Sequence, residues 1–208
     1  MIELVMFDAD GVLFDSIESN IAYYNAIFRE VGELPLNTDE EVRSISYAAE
    51  EMFIARARGD AAKLEAMRAF ARSMDGSEFF NMLKPPLELR PFMLQLRERY
   101  RLGLATNRSA TVPALVQHLK LDGIFHTVAS VLDRVAPKPA PDILQLCMKR
   151  AGASPERSVY IGDSPIDRLA ALEAGTHFIG VGSRVEHDRR LASIAELPEA
   201  LEKLSENP

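Results

Sequence analysis

Residues 2–7, IELVMF, are a short apolar run, and the pattern predicts a buried strand. From Ile17 the spacing changes. Ile17, Ile21, Tyr24, Phe28 and Val31 recur at steps of four and three, which is one face of a helix, with Ser16 at its N-cap position. Val42, Ile45, Ala49 and Met52 predict a second helix, and Leu64, Met67, Ala71 and Met74 a third, entered through Gly59–Asp60. Phe79, Phe80 and Leu83 close a short fourth, and Pro85–Pro86 stop the helical stretch.

Beyond Pro86 the pattern becomes strand–helix alternation. FMLQLRERY reads as a helix, RLGLATN as a strand ending at Thr106, and VPALVQHLKL as a helix. FHTVAS, RSVYIGDS and HFIGVG are further strands, separated by the helices PDILQLCMKRAG and PIDRLAALEAG, the latter closed by Gly175. A last helix is predicted from about Glu196 to Leu204. Repeated βα units predict an α/β fold, a Rossmann-like parallel sheet covered on both faces in three α/β/α layers. The first strand belongs to that sheet, so the helical block is an insertion. The expected division is a core of residues 1–15 and 88–208 and a helical cap of residues 16–87, hinged near Asp15–Ser16 and Leu87–Pro91.

Composition narrows the function. Of the 208 residues, 47% are hydrophobic and 26% charged, enough apolar material for a packed core. The formal net charge of −7 argues against a nucleic-acid or anionic-membrane surface. No apolar run approaches a membrane span, and the first residues lack a basic signal-peptide region, so a cytoplasmic protein is expected. The single cysteine, Cys147, cannot form an internal disulfide and lies on the apolar stripe of its helix, where it reads as a small buried hydrophobe.

In an open parallel sheet, ligands bind at the carboxyl ends of the strands. Four such places carry chemistry here: Asp8–Ala9–Asp10–Gly11, Thr106–Asn107–Arg108, Lys138 between two prolines in APKPAPD, and Gly162–Asp163–Ser164 with Asp167 beyond. Asp8, Asp10 and Asp163 make a hard oxygen cluster that suits Mg²⁺, which commonly arrives with a substrate phosphate. Thr106 offers a hydroxyl beside a helix start, and Lys138 a compact cation for a phosphoryl oxygen. A carboxylate can attack phosphorus, and a second acid two residues on can protonate the leaving oxygen. Each element also has a local use. Asp10–Gly11 is a turn signal, and Ser164, Pro165 and Asp167 form a capping-box pattern. Arg108 suits helix-start solvation as well as a site-facing role.

FDADGVLFDS resembles the first motif of the haloacid dehalogenase-like (HAD) hydrolase superfamily, DxD followed by a glycine. Thr106 in LATN is similar to the second motif, Lys138 in PKPAPD to the third, and GDSPID to the fourth; together they span Met1 to about Gly182. The resemblance implies that Asp8 is the nucleophile and Asp10 the general acid/base. It implies Mg²⁺ held by Asp8, the Asp10 backbone carbonyl and Asp163, with Asp167 in support, and a phosphoryl group bound by Thr106, Asn107 and Lys138. The insertion resembles the C1 cap of phosphoglycolate-phosphatase-like and β-phosphoglucomutase-like members. An acid at Asp10 disfavours dehalogenase and phosphonatase chemistry. In the cap stretch EEVRSISYAAEE, Arg43 is a candidate substrate contact, and Arg108 is another after the second motif.

The expected activity is Mg²⁺-dependent hydrolysis of a small phosphorylated metabolite through an aspartyl-phosphate, with a sugar phosphomutase as the alternative. A phospho-acceptor regulator or non-catalytic binding module shares the acid pair, threonine and lysine. Response-regulator receivers are shorter, however, and lack a helical insertion after the first strand.

Overall fold

The computed structural model describes residues 1–44 and 46–206. Strand β1 (Leu4–Phe7) is followed by four helices, α1 (Ile17–Glu30), α2 (Thr38–Arg43), α3 (Ala49–Ala57) and α4 (Ala61–Ser73), and a 3-10 helix at Gly76–Met82. Then come α5 (Leu89–Arg97), β2 (Arg101–Thr106), α6 (Val112–His118), β3 (Thr127–Ser130), α7 (Asp142–Ala151), β4 (Ser158–Gly162), α8 (Pro165–Ala174), β5 (His177–Val181), β6 (Arg190–Leu191) and α9 (Leu197–Glu206). Among the described residues the sheet has six strands in the order β3-β2-β1-β4-β5-β6, and every pairing is parallel. This is the predicted α/β, Rossmann-like sheet; the two-residue edge strand β6 carries no alternation that the sequence could reveal.

Strand alternation sorts the core into two faces. Val5, Phe7, Leu102, Leu104, Val159 and Ile161 face one way, against Met93 and Leu96 of α5, Leu115 of α6 and Leu197 and Leu201 of α9. Leu4, Met6, Ala105 and Tyr160 face the other way, against Ile143, Leu144 and Cys147 of α7 and Ala170 and Ala171 of α8. Helix α7 packs so closely that a Cβ at Gly103 would lie 2.6 Å from Cys147 Sγ. Cys147 is the buried small hydrophobe expected, with burial pushing its thiol pKa up to about 12.

The helices after β1 bury a separate cluster of Tyr24, Ile27, Phe28, Leu36, Met52, Phe53, Ala57 and Met67. Two local expectations differ from the structure. The stripe assigned to one helix is divided between α2 and α3. Asn37 opens α2 with a capping box, and Glu51 folds back to the Ala48 N–H at 2.9 Å to open α3 separately. Ile45 of that stripe lies outside the described residues. At the start of α1, Ser16 holds the N-cap position without a side-chain capping bond; Asp15 Oδ1 accepts from the Ile17 N–H at 3.0 Å instead. Asp60 caps α4 as predicted, accepting from Lys63 N. The chain leaves and re-enters the core through a backbone pair. The Asp15 N–H donates to Lys84 O (3.1 Å) and the Lys84 N–H to Asp15 O (3.0 Å). No helix among the described residues is long and apolar enough to cross a membrane.

Candidate active site

The parallel sheet brings the ends of β1, β2 and β4 to one rim, and Asp8, Asp10, Thr106, Lys138, Asp163 and Asp167 are all buried there. Register sets the meeting: Phe7 pairs with Leu104 and with Ile161, so Asp8 leaves β1 level with Ala105 and Gly162, one residue short of Thr106 and Asp163. After β1 the chain turns tightly. Gly11, at φ +74°, donates to Phe14 O at 2.9 Å, a backbone shape that suits glycine.

Lys138 is the centre of charge. Its Nζ lies 2.7 Å from Asp167 Oδ1 and 2.9 Å from Asp8 Oδ1, and it donates to the Tyr160 hydroxyl at 2.7 Å. That hydroxyl donates onward to Ala105 O at 2.9 Å. Burial opposes the charge of Lys138, but Asp167 and Asp8 outweigh it and raise its pKa above the usual lysine value. Burial pushes the Asp8 carboxyl the other way for a functional anion, up to about 7, against the lowering pull of Lys138.

Asp10 has a different neighbourhood. Arg108 forks its carboxylate, Nε to Oδ2 at 2.6 Å and Nη2 to Oδ1 at 2.7 Å, and Asn20 Nδ2 donates to Oδ1 at 3.3 Å. Burial works against ionisation of Asp10. The charge and hydrogen bonds of Arg108, with those of Ser16 and Asn20, outweigh it and hold the carboxyl below its usual range.

Asp167 is committed twice. Its Oδ2 accepts from Ser164 N (3.1 Å), Asp163 N (3.2 Å) and Ser164 Oγ (2.5 Å), while its own N–H donates to Ser164 Oγ, completing the anticipated capping box. Its other oxygen serves Lys138. Asp8, Asp163 and Asp167 offer carboxylate oxygens all within 4.8 Å of one another. Asp8 Oδ1 and Asp163 Oδ2 are buried without a hydrogen-bond partner, the Lys138 contact to Asp8 being out of line for one. Two under-coordinated carboxylate oxygens beside a third acid are a donor set that fits a hard divalent cation. The carboxylate of Asp10 turns to Arg108 and is not in that cluster.

The structure also sorts the remaining candidates. The Asn107 side chain holds the Lys138 loop, accepting from Lys138 N at 2.8 Å and donating to Lys138 O at 3.0 Å, and donates to Ser46 O of the insertion at 3.1 Å. Arg108 lines a cavity of about 70 Å³ between the rim and the insertion, walled on the far side by Asn20, Tyr23, Ser44, Ser46 and Tyr47. Arg43 is not brought to that cavity. It ends α2 exposed, with its guanidinium 6.0 Å from the ring of Tyr47, and Tyr47 takes the wall. Three partners were not legible beforehand: Asn20, Tyr160 and Arg184, whose guanidinium contacts Asp163 Oδ2. A tyrosine buried in a strand needs a partner for its hydroxyl, which is the one signal that Tyr160 gave.

The family model for haloacid dehalogenase-like hydrolases matches residues 5–181, from β1 through β5. The chain belongs to that family. Among curated HAD-like relatives, it is 28% identical to a phosphoglycolate phosphatase of Pseudomonas putida, over 89% of this chain and 71% of that protein. It is 26% identical to the pyrophosphatase PpaX of Bacillus velezensis, over 97% and 93%. Among solved structures, a HAD-superfamily hydrolase of subfamily IA from Geobacter sulfurreducens superposes with a TM-score of 0.74 at 28% identity, over 96% of both chains. The rim of acids and cations is thus the candidate active site of a HAD-like hydrolase.

Proposed function

We propose that this enzyme is a divalent-metal-dependent phosphatase that hydrolyses a small phosphorylated metabolite through an aspartyl-phosphate on Asp8. The observation that carries the reading is the convergence of Asp8, Lys138 and Asp163 on one buried rim, with Asp10 alongside and its carboxylate forked by Arg108. The names of the phosphatase relatives point the same way.

In this reading an Asp8 oxygen attacks phosphorus and the bond to the leaving oxygen breaks; Asp10, ionised while Arg108 holds it, must first be released by Arg108 and take up a proton, which it then gives to that oxygen. Asp10 then takes a proton from water, the water oxygen attacks phosphorus, and phosphate departs to regenerate the Asp8 carboxylate. Lys138 and the Thr106 hydroxyl hold phosphoryl oxygens, and Asn107 keeps the Lys138 loop in place. Asp8 and Asp163 would hold the cation, Mg²⁺ on the all-oxygen donor set, with the Asp10 backbone carbonyl as a further donor and Asp167 in support through Lys138 and Ser164. When bound, the metal neutralises phosphoryl charge and favours the ionised form of Asp8. Residues 16–87 serve as a cap over the core of residues 1–15 and 88–208, and the small cavity supports a compact leaving group. Arg108 is the cation free to meet an anionic group on that leaving group if it releases Asp10. A sugar phosphomutase uses the same acid pair and remains the alternative outcome of the test.

The test is a panel of phosphorylated metabolites with Mg²⁺, scored for phosphate release and, with sugar 1-phosphates, for isomerisation. Phosphate release that disappears with EDTA and in Asp8→Asn, while the variant keeps its circular dichroism and melting profile, is the expected result. Wild-type turnover by Asp8→Asn would remove Asp8 as nucleophile, and isomerisation without phosphate release would make the enzyme a mutase.

A further inference from the structure

Four carboxylates meet at the rim, and each has a cationic partner. Asp8 and Asp167 share Lys138, Asp10 has Arg108, and Asp163 has Arg184. With all four acids ionised, three monovalent cations leave one negative charge uncompensated, and a dication in place of any one of them brings the set to neutrality. The three are not equally replaceable. The Lys138 side chain is 1% exposed and has three polar partners. Arg108 is 13% exposed and bound bidentately, with Asn20 as a further acceptor. Arg184 is the most exposed of the three, at 30%.

The surroundings of Arg184 fit an ion that comes and goes. It follows β5 two residues after Gly182, which has φ +77° and open space where a Cβ would stand. On its other side Val185 is buried against Gly180 and anchors the loop. Gly11, Asp163 and Arg184 border an open hollow of about 440 Å³ on the side of the acids away from the cavity walled by Asn20 and Tyr47, so the guanidinium has room to withdraw. A Cβ at Gly11 would run into both the Asp163 carboxylate and Arg184 Nη2, so glycine keeps this meeting point open.

We propose that Arg184 is the exchangeable counter-ion of the acid cluster: its guanidinium holds Asp163 until a divalent cation takes that carboxylate, and the two compete for it. This rests on the metal-site reading above. A guanidinium and a dication at contact distance of one buried oxygen repel strongly, so Asp163 serves one or the other. The competition lowers the apparent metal affinity, because the dication must displace a partner as well as bind. In return, the unliganded acids are shielded from one another and the enzyme stays folded without metal.

The experiment is substrate-free. Mg²⁺ binding is measured by titration calorimetry, and melting temperature in EDTA and in saturating Mg²⁺, for the wild type, Arg184→Gln, Arg184→Lys and Asp163→Asn. Arg184→Gln is expected to bind Mg²⁺ about fivefold or more tightly than the wild type. Its melting temperature in EDTA is expected to fall by roughly 2–4 °C, and in saturating Mg²⁺ to match the wild type. Arg184→Lys should fall between the two. Equal or weaker Mg²⁺ binding by Arg184→Gln, with wild-type binding abolished by Asp163→Asn, would overturn the exchange and leave the metal site standing. No binding by the wild type, or binding untouched by Asp163→Asn, would overturn the metal site and the exchange with it.

Discussion

The core and the helical insertion each bury one cation among the described residues, and the two are used in opposite ways. In the insertion, Arg56 is 6% exposed, stacks 4.3 Å over the ring of Phe28, and donates to Leu34 O at 3.0 Å and to Glu40 at 2.6 Å. Its partners are the Glu40 carboxylate, a loop carbonyl and an aromatic ring, all within the insertion. In the core, Lys138 is 1% exposed and sits between two carboxylates and a hydroxyl at the ends of strands. Arginine's planar fork suits the first task and lysine's compact point charge the second. Burial alone therefore does not distinguish the two cations; the place of their partners does, inside the insertion for Arg56 and at the strand ends for Lys138.

Lys138→Met tests that contrast most severely. It leaves Asp8 and Asp167 facing each other unpaired, so a loss of about 3–5 kcal/mol is expected in urea unfolding, along with a fall in kcat/KM on the order of 10³-fold. Retained turnover would dissolve the contrast between the two cations. Arg56→Met should unfold about 3 kcal/mol more easily, since Glu40 and the Leu34 carbonyl lose their donor. Its kcat per folded molecule is expected within about twofold of the wild type, as only the insertion's frame is touched. A selective loss of kcat, with stability intact, would contradict a purely structural Arg56. Asn107→Ala sharpens the boundary, because that amide joins Lys138 of the core to Ser46 of the insertion. A loss of about 1–2 kcal/mol is expected, with a larger rise in KM than fall in kcat. The smallest effect belongs to Cys147. With its thiol pKa raised to about 12 it stays protonated at pH 8, so no thiolate is available and a disulfide reagent should label it only after denaturation.

The same division explains what the sequence revealed. The core residues were legible because a parallel sheet delivers strand ends to a known edge. Asp8, Thr106 and Asp163 needed only their strands to be found, and Lys138 its proline-flanked loop. The strand–helix alternation from α5 to α9 followed from hydrophobic period, whereas the order of the strands in the sheet is set by tertiary packing that no local period reports. Arg43 stands exposed at the end of α2 and outside the cavity, and which cation of a helical stretch reaches a site depends on tertiary packing that no local pattern reports. Asn20 is one polar position on an otherwise readable helix, and nothing local distinguishes it from a solvated asparagine. Arg184 lies in a loop without periodicity, and its partner is 21 residues away. Ser16 and Asp15 are both good capping residues, and only the backbone angle at Ser16 decides that Asp15 accepts the bond.

The reciprocal backbone pair between Asp15 and Lys84 has a consequence for engineering and descent. Two residues paired in this way sit about 5.5 Å apart at their Cα atoms, the separation a tight hairpin turn spans. The two ends of residues 16–83 are therefore close enough to be rejoined by a short loop, but Phe80 and Leu83 pack into the core under the sheet and Asn20 bonds Asp10, so a replacement must refill those places. The insertion is topologically a cassette. One helical unit could be grafted for another at this junction, changing the far wall of the cavity that Asn20, Ser46 and Tyr47 now form while the acids stay at the ends of their strands.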